Sequence, residues 1–168
     1  MKILRRLTNQ PAAFLAILAL SLWMTSLLPA VQAAPLPSAQ SNATDKLTVR
    51  VTGARNAKGK IIVYLFRDPQ GFPTDTSKII RQQSVNIDPN TMTALVVFKD
   101  LPPGMFAVTV LHDENDNGKM DTNFLGIPTE GYGASKDPNK MRAPTFDEAR
   151  FLLNAAEQTV NVKLRYVL

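Results

Sequence analysis

Between His112 and Gly133 the chain reads H-D-E-N-D-N-G-K-M-D-T-N-F-L-G-I-P-T-E-G-Y-G. Carboxylates, amides and glycines stand here at a spacing that apolar strands do not use. Asp113, Asn115 and Asn117 alternate, Gly118 follows at once, Lys119 offers its carbonyl, and Asp121 comes two residues further on. Calcium takes six to eight hard oxygens, and a linear loop supplies them at alternate residues while a glycine makes the sharp turn. The pattern meets the first half of the EF-hand loop. It then departs from it: Phe124 occupies the place of the bidentate glutamate, and a strand leads in where a helix would be required. An EF-hand is excluded; a calcium loop on another fold is not. Glu130 is the replacement carboxylate. The candidate ligands of a Ca2+ ion are therefore Asp113, Asn115, Asn117, Lys119, Asp121 and Glu130, whereas Glu114 and Asp116 fall off the alternation and are expected to face water. With two or three carboxylates the expected affinity is weak, on the order of 10⁻⁴–10⁻³ M.

The same residues have a plainer reading, because Asn117-Gly118 is also a favoured two-residue hairpin turn that needs no ion. Against it stands the length of the segment without core patterning, about 35 residues, which is long for a compact domain unless it has a function or is disordered. Asp113, Asp121 and Glu130 could also pair as acid and base in a hydrolase of the glycosidase kind, with His112, the single histidine of the chain, as a base. No G-x-S-x-G and no cysteine accompanies that histidine. One histidine is too few for zinc, so His112 is expected to pack or hydrogen-bond beside the loop. Phe72, Phe124 and Tyr132 are candidates to line a groove, but are expected to fold back as local plugs.

These residues need a scaffold, and the chain around them is patterned for strands. Leu47, Val49 and Val51 alternate with Thr48, Arg50 and Thr52, the period of a half-buried strand. Ile61–Phe66 is apolar on both faces and reads as a central strand. A weaker strand is expected over Ile79–Ile87, and another over Met92–Phe98. Asp100-Leu101-Pro102-Pro103-Gly104 is a rigid turn, since two prolines do not sit in mid-ladder. Phe106, Val108 and Val110 then deliver the chain to His112. Beyond Gly133, Ala134–Thr145 is polar. Phe146–Arg150 is expected to form one helical turn with Thr145 as N-cap; a two-turn helix over Phe146–Glu157 is the alternative. Phe151–Leu153 and Thr159–Tyr166 look like a closing hairpin. Seven short strands with almost no helix predict an all-β fold, a seven-stranded antiparallel sandwich of transthyretin-like or immunoglobulin-like type with one long acidic, glycine-rich loop.

The N-terminus reads as processing sequence. Lys2, Arg5 and Arg6 precede the apolar run Ala12–Leu28, Pro29 breaks it, and Val31-Gln32-Ala33 supplies small residues for cleavage after Ala33. An uncleaved anchor is the competing reading. The expected organisation is a signal peptide over 1–33, a flexible linker over 34–45 and a β-sandwich over 46–168, in a periplasmic or secreted protein without a stable membrane span after cleavage. The whole chain carries 19 basic and 14 acidic residues, +5. The three leader bases account for most of this excess, and the remaining 16 against 14 leave +2. No cluster of bases remains to grip phosphates, so nucleic acid is not an expected partner. With no cysteine in the chain, disulfides, thiolate zinc sites and cysteine nucleophiles are excluded.

H-D-E-N-D-N-G-K-M-D, followed by F-L-G-I-P-T-E-G-Y-G-A-S and preceded by F-K-D-L-P-P-G-M-F-A-V-T-V, resembles a bacterial exported family catalogued only as a domain of unknown function. The resemblance runs over roughly Leu47–Tyr166 and implies a signal peptide, a small β-sandwich and no assigned activity. Glu130 matches a glutamate of that family. More loosely, the D-L-P-P-G hairpin and the acidic loop are similar to those of transthyretin-like and collagen-adhesin B-type domains. Some of these hold calcium in such a loop, and the likeness marks Asp113, Asn115, Asn117 and Asp121. The resulting expectation is an exported, non-enzymatic, calcium-stabilised module that binds a protein or carbohydrate ligand or serves structurally; the alternative is a hydrolase using the acidic residues of 112–133.

Overall fold

The computed structural model describes residues 45–137 and 142–168. The expected signal peptide, the expected linker as far as residue 44 and the stretch 138–141 lie outside the described residues. Among the described residues, eight strands and one short α-helix follow in order, with a 3-10 turn at Thr76–Lys78 between the second and third strands: β1 Asp45–Thr52, β2 Lys60–Phe66, β3 Arg81–Val85, β4 Ala94–Leu101, β5 Gly104–Asp113, β6 Gly131–Ala134, α1 Phe146–Ala149, β7 Phe151–Leu153 and β8 Glu157–Lys163. They form two sheets. One has the order β4-β1-β8; the other runs β3-β2-β5-β6, with β7 also on β5. β2 takes one edge of β5, while β7 and β6 divide the other edge between Gly104–Phe106 and Thr109–His112.

The all-β class holds, with three corrections. The described residues form eight strands where seven are expected, because Gly131–Ala134, read as loop, pairs with β5. The sandwich is not wholly antiparallel, since β8 runs parallel to β1 from Lys46↔Glu157 to Thr52↔Lys163. Phe151–Leu153 and the last strand do not form a hairpin, because β7 joins β5 and β8 joins β1, in different sheets. The expected strand ends also move: β3 covers only Arg81–Val85, and β4 runs on to Leu101 with Asp100 at φ 58°.

The alternation read in the strands is a division between two cores. Leu47, Val49 and Val51 of β1 face Ile61, Val63 and Leu65 of β2 and Phe106, Val108 and Val110 of β5 between the sheets. The opposite side of β2, Ile62, Tyr64 and Phe66, is covered by Phe72, Ile79, Phe146 and Ala149. This accounts for a strand that is apolar on both faces. Phe72 stands edge-on to Phe66 at 5.2 Å and to Phe146 at 5.7 Å, the favoured aromatic geometry. It is the local plug expected of it. α1 is one turn, capped by Thr145, whose hydroxyl accepts the Glu148 N–H while the Glu148 side chain accepts the Thr145 N–H. The two-turn alternative is not formed.

Candidate functional site

β5 carries His112 and Asp113 to one end of the sandwich, and the acidic loop leaves from there. Asp113 is fully buried and Glu130 only 4% exposed. A buried carboxylate is costly unless it is hydrogen-bonded, and both are. Asp113 Oδ1 accepts the Asn117 N–H at 3.0 Å and Oδ2 the Gly118 N–H at 2.8 Å. Glu130 Oε1 accepts the Glu114 N–H at 2.9 Å and Oε2 the Asp121 N–H at 3.1 Å. Glu130 thus ties the start of the loop to its middle. Asp116 at φ 63° and Gly118 at φ 77° make the turn. Open space surrounds Gly118, so its backbone conformation calls for glycine where packing does not.

Asp121 collects the two alternating amides. Asn115 Nδ2 donates to its Oδ2 at 2.6 Å, and Asn117 Nδ2 donates to both oxygens at 3.1 and 3.0 Å. The alternation therefore brings Asn115, Asn117 and Asp121 together, with Asp113 anchoring the same turn from beneath. The Lys119 N–H donates to Asn117 Oδ1 at 2.8 Å, while its side chain is exposed. Among the described residues no group of three or more His, Cys, Asp or Glu side chains is arranged to hold a metal ion. Each oxygen of Asp113 and Glu130 accepts one backbone N–H and has capacity for one more partner.

Glu114 and Asp116 do not simply face water. Asp116 pairs with Lys60, and its hydrogen bond raises the lysine's pKa. Glu114 accepts from Arg55 Nε at 2.7 Å and from Asn56 Nδ2 at 2.9 Å. Burial by itself would raise the Glu114 pKa, but these bonds outweigh it and hold the carboxyl below its ordinary range. Arg55 also donates to the Thr129 carbonyl at 2.9 Å and to that of Leu168, and lies 4.6 Å over the Tyr166 ring.

His112 is completely buried. Its Nε2 meets the Lys58 carbonyl at 2.9 Å, which can only accept, so Nε2 carries the hydrogen. Nδ1 then accepts from the Tyr166 hydroxyl at 2.6 Å, and that hydroxyl accepts the Arg55 N–H at 3.1 Å. Burial raises the tyrosine's pKa, and the nearby Glu114 adds to the effect. His112 is thus a hydrogen-bonded packing residue, as expected. Arg55, Asn56 and Tyr166 were not legible as partners of the loop, because nothing in their local pattern marks a contact across more than fifty residues of chain.

At the far tip, Asn123 closes a tight turn. Its Oδ1 accepts the N–H groups of Leu125 and Ile127, both at 3.0 Å, and its carbonyl accepts the Gly126 N–H at 2.9 Å. A bridge between Thr122 and Pro128 closes the turn's base. Phe124 is 94% exposed and Leu125 67%. Phe124 is therefore not the plug expected of it, since the turn that holds it points it away from the domain. Tyr132 lies in β6 and is half-buried.

Fold and site together define a two-sheet β-sandwich with an acidic loop tied down by its own carboxylates. The sequence comparison places it further. The chain belongs to the family described as an uncharacterized protein conserved in bacteria (DUF2141), whose model matches residues 49–161. No curated protein sequence matches it. Among solved structures it is similar to a fimbrial assembly protein from Parabacteroides distasonis, with 11% identity and a TM-score of 0.38 over 74% of this chain and 53% of the other. The chain spans about half the length of that protein.

Proposed function

We propose that this protein is an exported, non-enzymatic β-sandwich module whose 112–133 loop is tightened by calcium and serves as a binding or structural platform. The observation that carries the reading is the convergence of the Asn115 and Asn117 amides on the Asp121 carboxylate. A half-turn of either amide replaces its N–H donor with a carbonyl oxygen, and the cluster then offers a cation the hard ligands calcium takes. Asp113, Glu130 and the Lys119 carbonyl are the further donors of this proposal. Enzymatic use of the loop has no comparable support: His112, its candidate base, is completely buried with both ring nitrogens hydrogen-bonded, to the Lys58 carbonyl and to the Tyr166 hydroxyl.

Thermal unfolding of the chain from Ala34 onward, first in EDTA and then in millimolar calcium, tests the reading. Binding to the native state raises the midpoint by linkage. The expected result is a calcium-specific rise, absent with magnesium and in Asp121→Ala. An unchanged midpoint rejects calcium. Export is checked separately: the protein recovered from the periplasm or medium is expected to begin at Ala34.

A further inference from the structure

We infer that the Phe124–Leu125 tip is a docking element for a lipid bilayer surface. Its apolar side chains do not fold back onto the domain; they stand at the end of a turn locked by four hydrogen bonds to or from Asn123. Met120, on the same loop, is also exposed. The ordering cost of presenting these groups is therefore met within the fold itself.

The shape and size of the patch favour lipid over protein. An aromatic side chain buries roughly 150–250 Å², so a tip of one phenylalanine and one leucine falls well short of the roughly 800 Å² per side of a stable protein interface. A convex tip of this size needs a matching pocket in a protein partner or in a second copy. An acyl–headgroup boundary deforms around it and requires none, and membrane affinity there scales with the apolar area buried. The charges leave the tip free to approach a surface: Glu114 is paired with Arg55 and Asp116 with Lys60, while Asp113 and Glu130 are buried away from it. Lys58 and Lys119 remain exposed at this end. The anchor takes up the binding role proposed for the loop, but does not require that the loop hold calcium.

Vesicle co-sedimentation of the chain from Ala34 onward tests it. That fragment contains every described strand and both cores, and leaves out the apolar N-terminal run. Vesicles are phosphatidylcholine alone, or mixed with phosphatidylglycerol, in EDTA and in calcium. The wild-type protein is expected to sediment with both, because the apolar area of the tip sets the affinity. Phe124→Ala and Leu125→Ala are each expected to weaken binding by about tenfold or more, with unfolding midpoints unchanged. Leu95→Ala, at an exposed leucine on β4, is expected to bind as wild type does. Absence of sedimentation with both vesicle types overturns the inference, as does a Phe124→Ala/Leu125→Ala protein that binds like wild type. Self-association that the double variant abolishes, without vesicle binding, assigns the tip to a second copy and also overturns it. Vesicle binding in EDTA together with an unchanged calcium midpoint leaves the inference standing and rejects only calcium.

Discussion

A Cβ placed on Gly131 would stand 2.4 Å from the ring of Tyr166. The glycine therefore gives the tyrosine the space from which its hydroxyl reaches His112. Two residues later, a Cβ on Gly133 would meet Val162 at 2.6 Å, so the G-Y-G segment lets β6 pass closely against β8 and the residues after it. Tyr132 and Arg165 exchange backbone hydrogen bonds there at 3.0 and 2.8 Å, linking the two sheets on that side. Gly131→Ala is expected to destabilise the domain by about 1–3 kcal/mol through overpacking. Tyr166→Phe is expected to cost about 1–3 kcal/mol, because it leaves buried His112 Nδ1 without its donor. Denaturant unfolding measures both, and the double variant is expected to lose less than the sum, because both changes act on one contact.

Glu130 spans the loop by bonding N–H groups of residues 114 and 121. Glu130→Gln keeps one acceptor and turns an amide N–H toward the other donor. Loss of a charge-assisted bond costs about 1.5–3 kcal/mol, so the midpoint of thermal unfolding is expected to fall. A variant with wild-type stability that loses a measurable turnover would instead point to a catalytic glutamate.

Glu114 makes stability depend on acid. Its folded pKa lies below its ordinary value of 4.5, so the unfolded chain binds the proton more readily. The stabilisation is complete above the unfolded value and is lost as pH falls through the folded one. Unfolding followed between neutral and acidic pH is expected to show that decline in wild type and a shallower one in Glu114→Gln. Equal slopes would remove the Arg55–Glu114–Asn56 cluster from the account.

Several of these features were legible in the sequence, for physical reasons. A strand apolar on both faces must be covered on both, and Ile61–Phe66 is. Thr145 before Phe146 marks a cap because a hydroxyl satisfies free N–H groups. The D-x-N-x-N-G spacing marked a loop whose side chains converge, and Asn115, Asn117 and Asp121 do. β6 was not legible, since glycines carry neither hydropathy nor period, and Gly131 and Gly133 are chosen by residues of another segment. The parallel pairing of β8 with β1 was hidden too, because alternation within a strand says which face is buried and not which strand lies beside it. Phe124 misled for a related reason: an apolar residue type suggests burial, whereas the Asn123 turn decides where it points.

The 112–133 loop is held by its carboxylates, and calcium is proposed to tighten it further. Amide hydrogen exchange at Glu114, Asn117, Gly118 and Asp121 reads those bonds one by one. The account predicts protection of all four in EDTA and slower exchange still in calcium. Exchange at unstructured-chain rates in EDTA would contradict the carboxylate anchoring, and rates unmoved by calcium would contradict the ion.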